Sequence, residues 1–244
     1  MDSKFAIYNF LTGIECKNEK PTYDEAYKRA FQLAWKDMAT HTLKISENFK
    51  DEYNSYFNGE SKLKTENRKW LKEQMSAKIR KYFDKLLEAK NKDDFSDCHQ
   101  EICKYLCGDI DDKFPECIIE YKTDSEKTYS SVKIEDTYTH MDDSIKKTFT
   151  YGQAQKLVNM LVKYMYIYHD LYEFECPADV TFNVELYHVP IDSIILKEIG
   201  KSNICWSKIN DYKKYENIQE KINKKVEEEN SFIWELNVWN NRNK

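Results

Sequence analysis

Apolar side chains cover almost the whole circumference of a predicted helix at residues 150–169. A helix without a polar face is typical of a protein core, so the pattern predicts a buried central helix. Thr150 and Gln153 have the spacing of a capping box, which places the first turn at this point. Buried polar groups need hydrogen-bond partners, so the polar interruptions of this helix are its most informative positions. They are Gln155, Lys156, Asn159 and Lys163.

Amphipathic patterns predict more helices on both sides of this segment. Thr22 and Glu25 form a second capping box, and apolar residues then recur at helical spacing for about five turns. Five Gly and four Pro residues are few for a many-stranded sandwich, so the chain is predicted to be mainly helical. Apolar stripes predict the remaining helices over 65–89, 93–106, 191–199 and 210–228.

Two segments have the two-residue period of a strand. Val180, Phe182, Val184 and Leu186 alternate with polar residues, which is typical of a half-buried strand. Residues 232–238 alternate in the same way, although a helix also fits their apolar positions. Paired antiparallel, the two segments would form a small sheet. The predicted fold class is therefore mainly α, built around the central helix, with a small antiparallel β element that makes the minor part α+β.

We predict three regions along the chain. Residues 1–110 form an N-terminal helical region, and residues 150–244 form a C-terminal helical region with one or two strands. Between them, residues 111–149 are rich in Ser, Thr and Asp and are predicted to be an irregular insert or linker, in which 117–122 fits a strand or a helix. The two helical regions are expected to pack as one globular unit.

Composition narrows the class of protein. The 244 residues are 41% hydrophobic and 14% aromatic, enough for a sizeable core. The net charge is -5 with both signs interspersed, which does not indicate nucleic-acid binding, although a nucleic-acid partner stays open. Lysines interrupt the longest apolar run, so no membrane partner is predicted. Seven cysteines, an odd number, indicate reduced thiols, and we expect a soluble cytoplasmic protein.

The start of the predicted central helix is the first candidate site. Free N–H groups at a helix N-terminus attract anions, Gly152 allows a close approach, and Lys156 adds a positive charge. The run is not a P-loop, since it has one Gly and no Ser or Thr after the lysine. The alternative is that the Gln and Lys side chains pair with carboxylates of neighbouring elements. The candidate ligand-binding residues are Gly152, Gln153, Gln155 and Lys156.

Lys156, Asn159 and Lys163 lie within about 60° of each other around the helix and form one polar seam. In a cleft, two lysines and an amide would suit an anionic ligand. Alternatively, the seam is the only solvent-facing edge of the helix, with the lysine stems lying along apolar surface. The exposure of Asn159 distinguishes these two interpretations.

A second candidate site is formed by His188 and Asp192, where the predicted strand leads into a helix. A histidine near a carboxylate is the minimum for acid–base catalysis. Asp192 alternatively stabilises the first turn of its own helix. Trp206 and Ser207 could add an aromatic wall and a hydroxyl to the same pocket, or serve in core packing and helix capping.

The sequence predicts neither a metal nor a cofactor. His99, Cys103 and Cys107 occur at positions i, i+4 and i+8 of a predicted helix. On a straight helix they span about 12 Å, which is too far for the ligands of one zinc ion. Cysteines that act as small buried hydrophobic residues explain the pattern better.

Two functions of different classes are consistent with these residues. The first is a soluble intracellular binding protein that recognises a protein or other macromolecular partner, or an anionic ligand, without catalysis, because no complete catalytic set is present. The alternative is an enzyme acting on a nucleotide or nucleic acid, in which Lys156 and Lys163 hold the phosphate and His188 and Asp192 act in proton transfer. A homo-oligomer is a third alternative. The Lys-, Asn- and Ile-rich composition suits an accessory protein of a bacterium, phage or mobile element.

Overall fold

The computed structural model describes residues 20–38, 43–45, 57–58, 62–63, 65–107, 116–123, 126–133, 150–209, 211–226 and 229–242. Within these ranges the chain is mainly helical, as its sequence predicts. The α-helices there are α1 (Tyr23–Asp37), α2 (Thr65–Leu87), α3 (Lys92–Cys107), α4 (Tyr151–Tyr172), α5 (Ser193–Glu198), α6 (Tyr212–Val226) and α7 (Ser231–Arg242). Two 3₁₀ turns span Val184–Leu186 and Trp206–Lys208.

Helix α4 has almost no exposed surface. Every residue from 151 to 165 is buried, and Ala154, Leu157 and Met165 have no exposed area at all. Helices α1 and α3 pack along α4, and the 206–208 turn and α6 also contact it. Burying one such apolar side chain stabilises a fold by about 1.5–3 kcal/mol, so α4 contributes a large part of the core. No helix among the described residues is long and apolar enough to span a membrane.

Both predicted capping boxes are present. Thr22 Oγ1 accepts from the Glu25 N–H at 3.3 Å, and the Glu25 carboxylate accepts from the Thr22 N–H at 2.9 Å. Thr150 and Gln153 form the same reciprocal pair at the start of α4. Local chemistry therefore sets the first turn of each helix. The helices predicted over 65–89, 93–106, 191–199 and 210–228 are α2, α3, α5 and α6, each within two residues of its predicted ends.

The predicted antiparallel pairing of residues 180–187 with 232–238 is wrong. The first segment is extended apart from its 3₁₀ turn, and the second belongs to helix α7. Asn230 begins α7, because its Oδ1 accepts from the N–H groups of Phe232 and Ile233 at 2.9 and 3.0 Å. The alternation of apolar residues in 180–187 still places Val180 and Leu186 inward, but against helices. Burial of alternate side chains does not require a partner strand.

The strands of the described residues lie elsewhere. They are β1 (Leu43–Ile45), β2 (Phe57–Asn58), β3 (Lys62–Leu63), β4 (Glu116–Thr123) and β5 (Glu126–Lys133), in the order β2-β3-β1-β4-β5. The β4–β5 hairpin is antiparallel, with Glu116 opposite Lys133 and Thr123 opposite Glu126. It lies in the segment predicted to be an irregular insert. Of that insert, 111–115, 124–125 and 134–149 lie outside the described residues, and the division into three regions stays a prediction.

Gly152 allows α4 to approach the 206–209 segment at backbone distance. Its N–H donates to the Ile209 carbonyl at 2.7 Å. A Cβ atom at this position would lie only 1.9 Å from the Trp206 carbonyl oxygen. Because the obstacle is backbone, a side-chain rotation cannot relieve the overlap. The glycine is therefore required for packing of the first turn of α4.

We expect Gly152→Ala to lower the free energy of unfolding by at least about 1–3 kcal/mol, the usual cost of overpacking. Denaturant unfolding measures this change. Gly200→Asn is the matched control, because a Cβ atom there meets nothing within 4 Å and Asn tolerates its positive φ of 68°. Equal stability of Gly152→Ala and the unsubstituted chain would contradict the close approach.

Candidate functional site

The first turn of α4 is closed by the chain itself. The Gly152 N–H is used by the Ile209 carbonyl, and the side chain of Gln153 is part of the capping box. Thr150 Oγ1 also donates to the Ser207 carbonyl at 2.6 Å. Thr150, Gly152 and Gln153 are all buried. The helix dipole at this end thus faces protein backbone.

Two buried ion pairs hold the lysines of α4. Lys156 Nζ lies 3.0 Å from Asp192 Oδ2, and Lys163 Nζ lies 2.9 Å from each carboxylate oxygen of Glu235. Asn159 is 1% exposed, so the polar seam is not a solvent-facing edge. The lysines pair with carboxylates of neighbouring elements, which was the alternative interpretation. Their charges are used in holding α4 to α5 and α7.

Asp192 has a second role at the start of α5. Its Oδ1 accepts from the N–H groups of Ile194 and Ile195 at 2.9 and 3.0 Å, which makes it the N-cap residue. Oδ2 is left for Lys156. Both oxygens of Asp192 are therefore occupied, and the carboxylate ties the first turn of α5 to α4.

Two glutamines hold the extended segment that precedes α5. Gln155 Oε1 accepts from the Ile191 N–H at 3.2 Å, and its Nε2 donates to the Ile191 carbonyl at 2.9 Å. Gln219 forms the same two bonds with Val189, at 3.2 and 2.6 Å. Each side-chain amide thus pairs with the backbone N–H and the carbonyl of one residue, as a neighbouring strand would. This pairing fixes His188, which lies directly before Val189.

Backbone groups fix the direction of the hydrogen bonds around Asn159. The Ile191 N–H can only donate, so the Gln155 atom it contacts is the carbonyl Oε1. The same Oε1 lies 3.1 Å from Asn159, whose facing atom must therefore be the donor Nδ2. This Nδ2 also donates to the Tyr215 hydroxyl at 3.0 Å, ahead of a longer contact of 3.4 Å to the Val189 carbonyl. The two protons of the Asn159 amide are thus committed.

The direction continues from Tyr215 through His188 to Ser96. The Tyr215 oxygen accepts from Asn159, and we assign its own proton to His188 Nδ1, which lies 2.8 Å away. A neutral imidazole that accepts at Nδ1 carries its proton on Nε2. Nε2 then donates to Ser96 Oγ at 3.1 Å. Burial raises the pKa of Tyr215 well above its ordinary value, which keeps the hydroxyl proton in place.

The histidines of this network are neutral. Burial lowers the pKa of His188 to about 4, and the charge of Lys92 adds to the effect. Burial and the neighbouring His188 lower the pKa of His99 well below its ordinary value. The ring of His99 stacks on Tyr215 with a centroid distance of 5.2 Å and lies 4.9 Å from the ring of His188. Two uncharged imidazoles can pack this closely without repulsion.

A cavity of about 190 Å³ opens at the outer end of this hydrogen-bond chain. Helix α3 supplies one wall and α6 supplies the opposite wall. The 3₁₀ turn before His188 and the first residue of α7 complete the lining. The polar residues that line it are Lys92, Ser96, Glu185, His188, Tyr212, Glu216, Gln219, Glu220, Asn223 and Ser231.

Ser96 leaves a hydroxyl proton for a molecule in the cavity. Its Oγ accepts from His188 Nε2 at 3.1 Å, so its own proton can donate to a ligand. Tyr212 also lines the cavity, and burial raises the pKa of its hydroxyl.

Two opposite charges in the cavity are unpaired. Glu216 pairs with Lys213 at 2.9 Å, and Glu220 lies 4.0 Å from Lys224. Lys92 and Glu185 also line the cavity. In contrast to Glu216 and Glu220, neither has an ion-pair partner within 4.0 Å among the residues that the structure describes. The two therefore do not pair with each other across the cavity.

The predicted site residues are divided between the cavity and the core. His188 lines the cavity, whereas Lys156, Asn159 and Asp192 do not. Asn159 donates to the Tyr215 hydroxyl, and Tyr215 in turn contacts His188, which lines the cavity. The predicted phosphate chemistry needs Lys156 and Lys163 together with His188 and Asp192, and only His188 of these four lines this cavity.

The remaining predicted residues lie near the ends of α4. Trp206 lies over Lys156, with Nζ 5.0 Å from the ring centroid. Ser207 is 7% exposed, and its Oγ lies 3.4 Å from Cys205 Sγ. Lys163 lies further along the helix, 5.7 Å from the ring of Trp239. As candidate ligand-binding residues, all three stay predictions, and no contact in the structure points to a ligand there.

Sequence reasoning missed Lys92, Ser96, Tyr212 and Tyr215. Lys92 and Ser96 are one helical turn apart, which puts both on one face of α3. One face of α6 likewise carries Tyr212, Tyr215 and Gln219. This helical spacing of polar and aromatic residues is the sequence signal that could have indicated the site. The pattern was hidden because the surrounding Lys and Glu residues resemble an ordinary solvated helix.

The His99 and Cys103 side chains form a core contact. Cys103 Sγ lies 3.7 Å from His99 Nε2, and both residues are 0% exposed. In the part of the chain that the structure describes, no group of three or more His, Cys, Asp or Glu residues could hold a metal ion.

No family model, no curated protein and no solved structure matches this chain. A fold alone would in any case leave the function open, because function depends on the groups of a site. The function of this protein is therefore inferred from the side chains that line the cavity between α3 and α6.

We expect Lys163→Met to lower the free energy of unfolding by about 3–5 kcal/mol, because it leaves a buried carboxylate without its counter-charge. The double variant Lys163→Met/Glu235→Met should recover most of this loss, since no buried charge remains. Chemical denaturation of both variants measures the difference. Lys213→Met, at an ion pair whose lysine side chain is 74% exposed, is the control and should change stability by about 0.5 kcal/mol or less.

The same variant should respond to pH. Burial raises the pKa of Glu235 above its ordinary value, while Lys163 opposes the shift. Without Lys163, the folded state binds a proton more tightly than the unfolded state, so the loss in Lys163→Met shrinks as pH falls toward the ordinary carboxyl pKa. A double variant as unstable as the single one, or a loss that grows on acidification, would contradict this account.

The His188 ring should be neutral with its proton on Nε2 at pH 7, as ¹⁵N NMR of the imidazole can show. We expect the ring to stay uncharged until the pH falls to about 4. Because the folded pKa lies below the ordinary 6.5, the stabilising contribution of His188 is complete above pH 6.5 and decreases toward pH 4. A proton on Nδ1 would show that the derived direction is wrong, and Tyr215→Phe, which lacks the donor to Nδ1, is the comparison variant.

Proposed function

We propose that this protein is a binding protein that holds a small ligand with an anionic group in the cavity between α3 and α6, without converting it. The observation that carries the proposal is the unpaired ammonium of Lys92 in the same cavity as the Ser96 hydroxyl, whose oxygen accepts from His188. An ammonium and a hydroxyl donor together bind a carboxylate or a similar anion by charge-assisted hydrogen bonds. We further infer that α4 is the central framework that holds this site.

The direction of the hydrogen bonds argues against catalysis by Ser96. A nucleophilic serine needs a neighbouring base that can accept its proton. Here His188 Nε2 is the donor to Ser96, and Nδ1 already accepts from Tyr215. The low pKa of His188, about 4, also makes the ring a weak base at neutral pH. The Ser96–His188 contact therefore positions a hydroxyl and does not activate it.

The size of the cavity limits the ligand. Pockets for drug-sized ligands and cofactors are commonly about 300–1,000 Å³, larger than the 190 Å³ found here. A volume below that range favours a ligand of a few non-hydrogen atoms over a nucleotide.

Titration with acetate, followed by NMR shifts of Ser96 and His188, tests the proposal. We expect saturable binding that weakens about two- to fivefold in Lys92→Met, because Lys92 is exposed and solvent screens its attraction for an anion. Lys90→Met removes an exposed lysine outside the cavity and should bind as the unsubstituted chain does. Hydrolysis of 4-nitrophenyl acetate should be unchanged by Ser96→Ala.

Two results would overturn the proposal. One is an acetate affinity that Lys92→Met leaves unchanged, which would place the anion elsewhere. The other is ester hydrolysis that disappears in Ser96→Ala but persists in Lys92→Met, which would make Ser96 a nucleophile.

A further inference from the structure

We infer that the ligand of this cavity is a small zwitterion, a free α-amino acid of the size of alanine, whose carboxylate lies at Lys92 and whose ammonium lies at Glu185. This inference rests on the proposed function and names the chemical class of its ligand. It follows from the charges that line the cavity, from their pairing and from the volume between them.

Lys92 and Glu185 stand apart from the other charged residues of the cavity. Both line it, and neither has a charged partner within 4.0 Å in the described ranges. The carboxylates of α6 differ, because Glu216 and Glu220 have Lys213 and Lys224 beside them. An anion alone would satisfy Lys92 and add repulsion at Glu185, and a cation alone would do the reverse. Only a molecule with both charges satisfies both residues.

The hydrogen-bonding groups of the cavity fit the same molecule. The hydroxyl proton of Ser96 is a donor for a carboxylate oxygen, because Ser96 Oγ accepts from His188. Lys92 and Ser96 are one turn apart on α3, so the cationic group and a hydroxyl lie on the same wall. Glu185 belongs to the 3₁₀ turn, so the acceptor for an ammonium comes from a different element.

The volume distinguishes among zwitterions. About 190 Å³ is below the range of about 300–1,000 Å³ that is common for pockets of drug-sized ligands, so a small zwitterion such as alanine suits the cavity. An amino acid with a large aromatic side chain would exceed this space. Binding should therefore favour Gly, Ala and Ser over Phe and Trp.

Three probes of similar size separate the two charges: L-alanine has both, propionate has the carboxylate alone, and ethylamine has the ammonium alone. Isothermal titration of the full chain should show L-alanine binding about two- to fivefold more tightly than either of the others, because each added charge meets an exposed residue. Glu185→Gln should remove the advantage of L-alanine over propionate and leave propionate binding no weaker. Lys92→Met should weaken L-alanine and propionate alike. Glu175→Gln, an exposed carboxylate outside the cavity, is the matched control and should change neither.

The outcomes distinguish this inference from the proposed function. Equal affinity for L-alanine and propionate, with both reduced in Lys92→Met, would overturn the zwitterion and leave the anion-binding protein intact. If neither L-alanine nor propionate binds, both proposals are wrong. Tight binding of ethylamine that depends on Glu185 but not on Lys92 would also overturn both, because it would make the site a cation site.

Discussion

The structure depends on the partners of the four polar side chains that interrupt the apolar surface of α4 in the core, namely Gln155, Lys156, Asn159 and Lys163. Lys156 and Lys163 bind carboxylates of two different elements, and Gln155 and Asn159 bind the extended segment and α6. Leaving one member of a buried ion pair alone costs several kcal/mol, whereas a complete pair adds little net stability over an apolar contact. An arrangement in which α5, α6 or α7 is shifted along α4 would break these contacts and would therefore be less stable.

The same pairing organises the cavity. Gln155 and Gln219 fix the peptides of Ile191 and Val189, which leaves His188 little freedom to turn. Tyr215 then forms a hydrogen bond with one ring nitrogen of His188, and Ser96 forms one with the other. A hydroxyl proton at the cavity is thus oriented by a chain of contacts that begins at the backbone beside α4. Groups that are already oriented lose less conformational entropy when a ligand binds, so in the proposed function the core would contribute to recognition without touching the ligand.

Local signals in the sequence were sufficient for the helices and insufficient for their partners. Thr22 and Thr150 reveal two helix starts because a capping box lies within four residues. The polar interruptions of α4 indicate that partners exist, but Glu235 lies 72 residues from Lys163 and nothing local marks it. The C-terminal alternation suggests a strand, because Phe232 and Leu236 fit the two-residue period of a strand as well as the spacing of a helix. The Asn230 cap, which decides for a helix, lies just before these residues. Lys92 and Glu185 could not be recognised as unpaired, since pairing depends on the tertiary structure.

The exposure of the two unpaired charges decides what the cavity can achieve. Lys92 and Glu185 are exposed, so water and salt screen their attraction for a ligand, and each contact alone is weak. A ligand of about six non-hydrogen atoms gains at most about 1.5 kcal/mol per atom even in the best cases, so very tight binding is not available. Selectivity is easier to obtain than affinity, because a molecule with one charge desolvates the unmatched residue and loses free energy there.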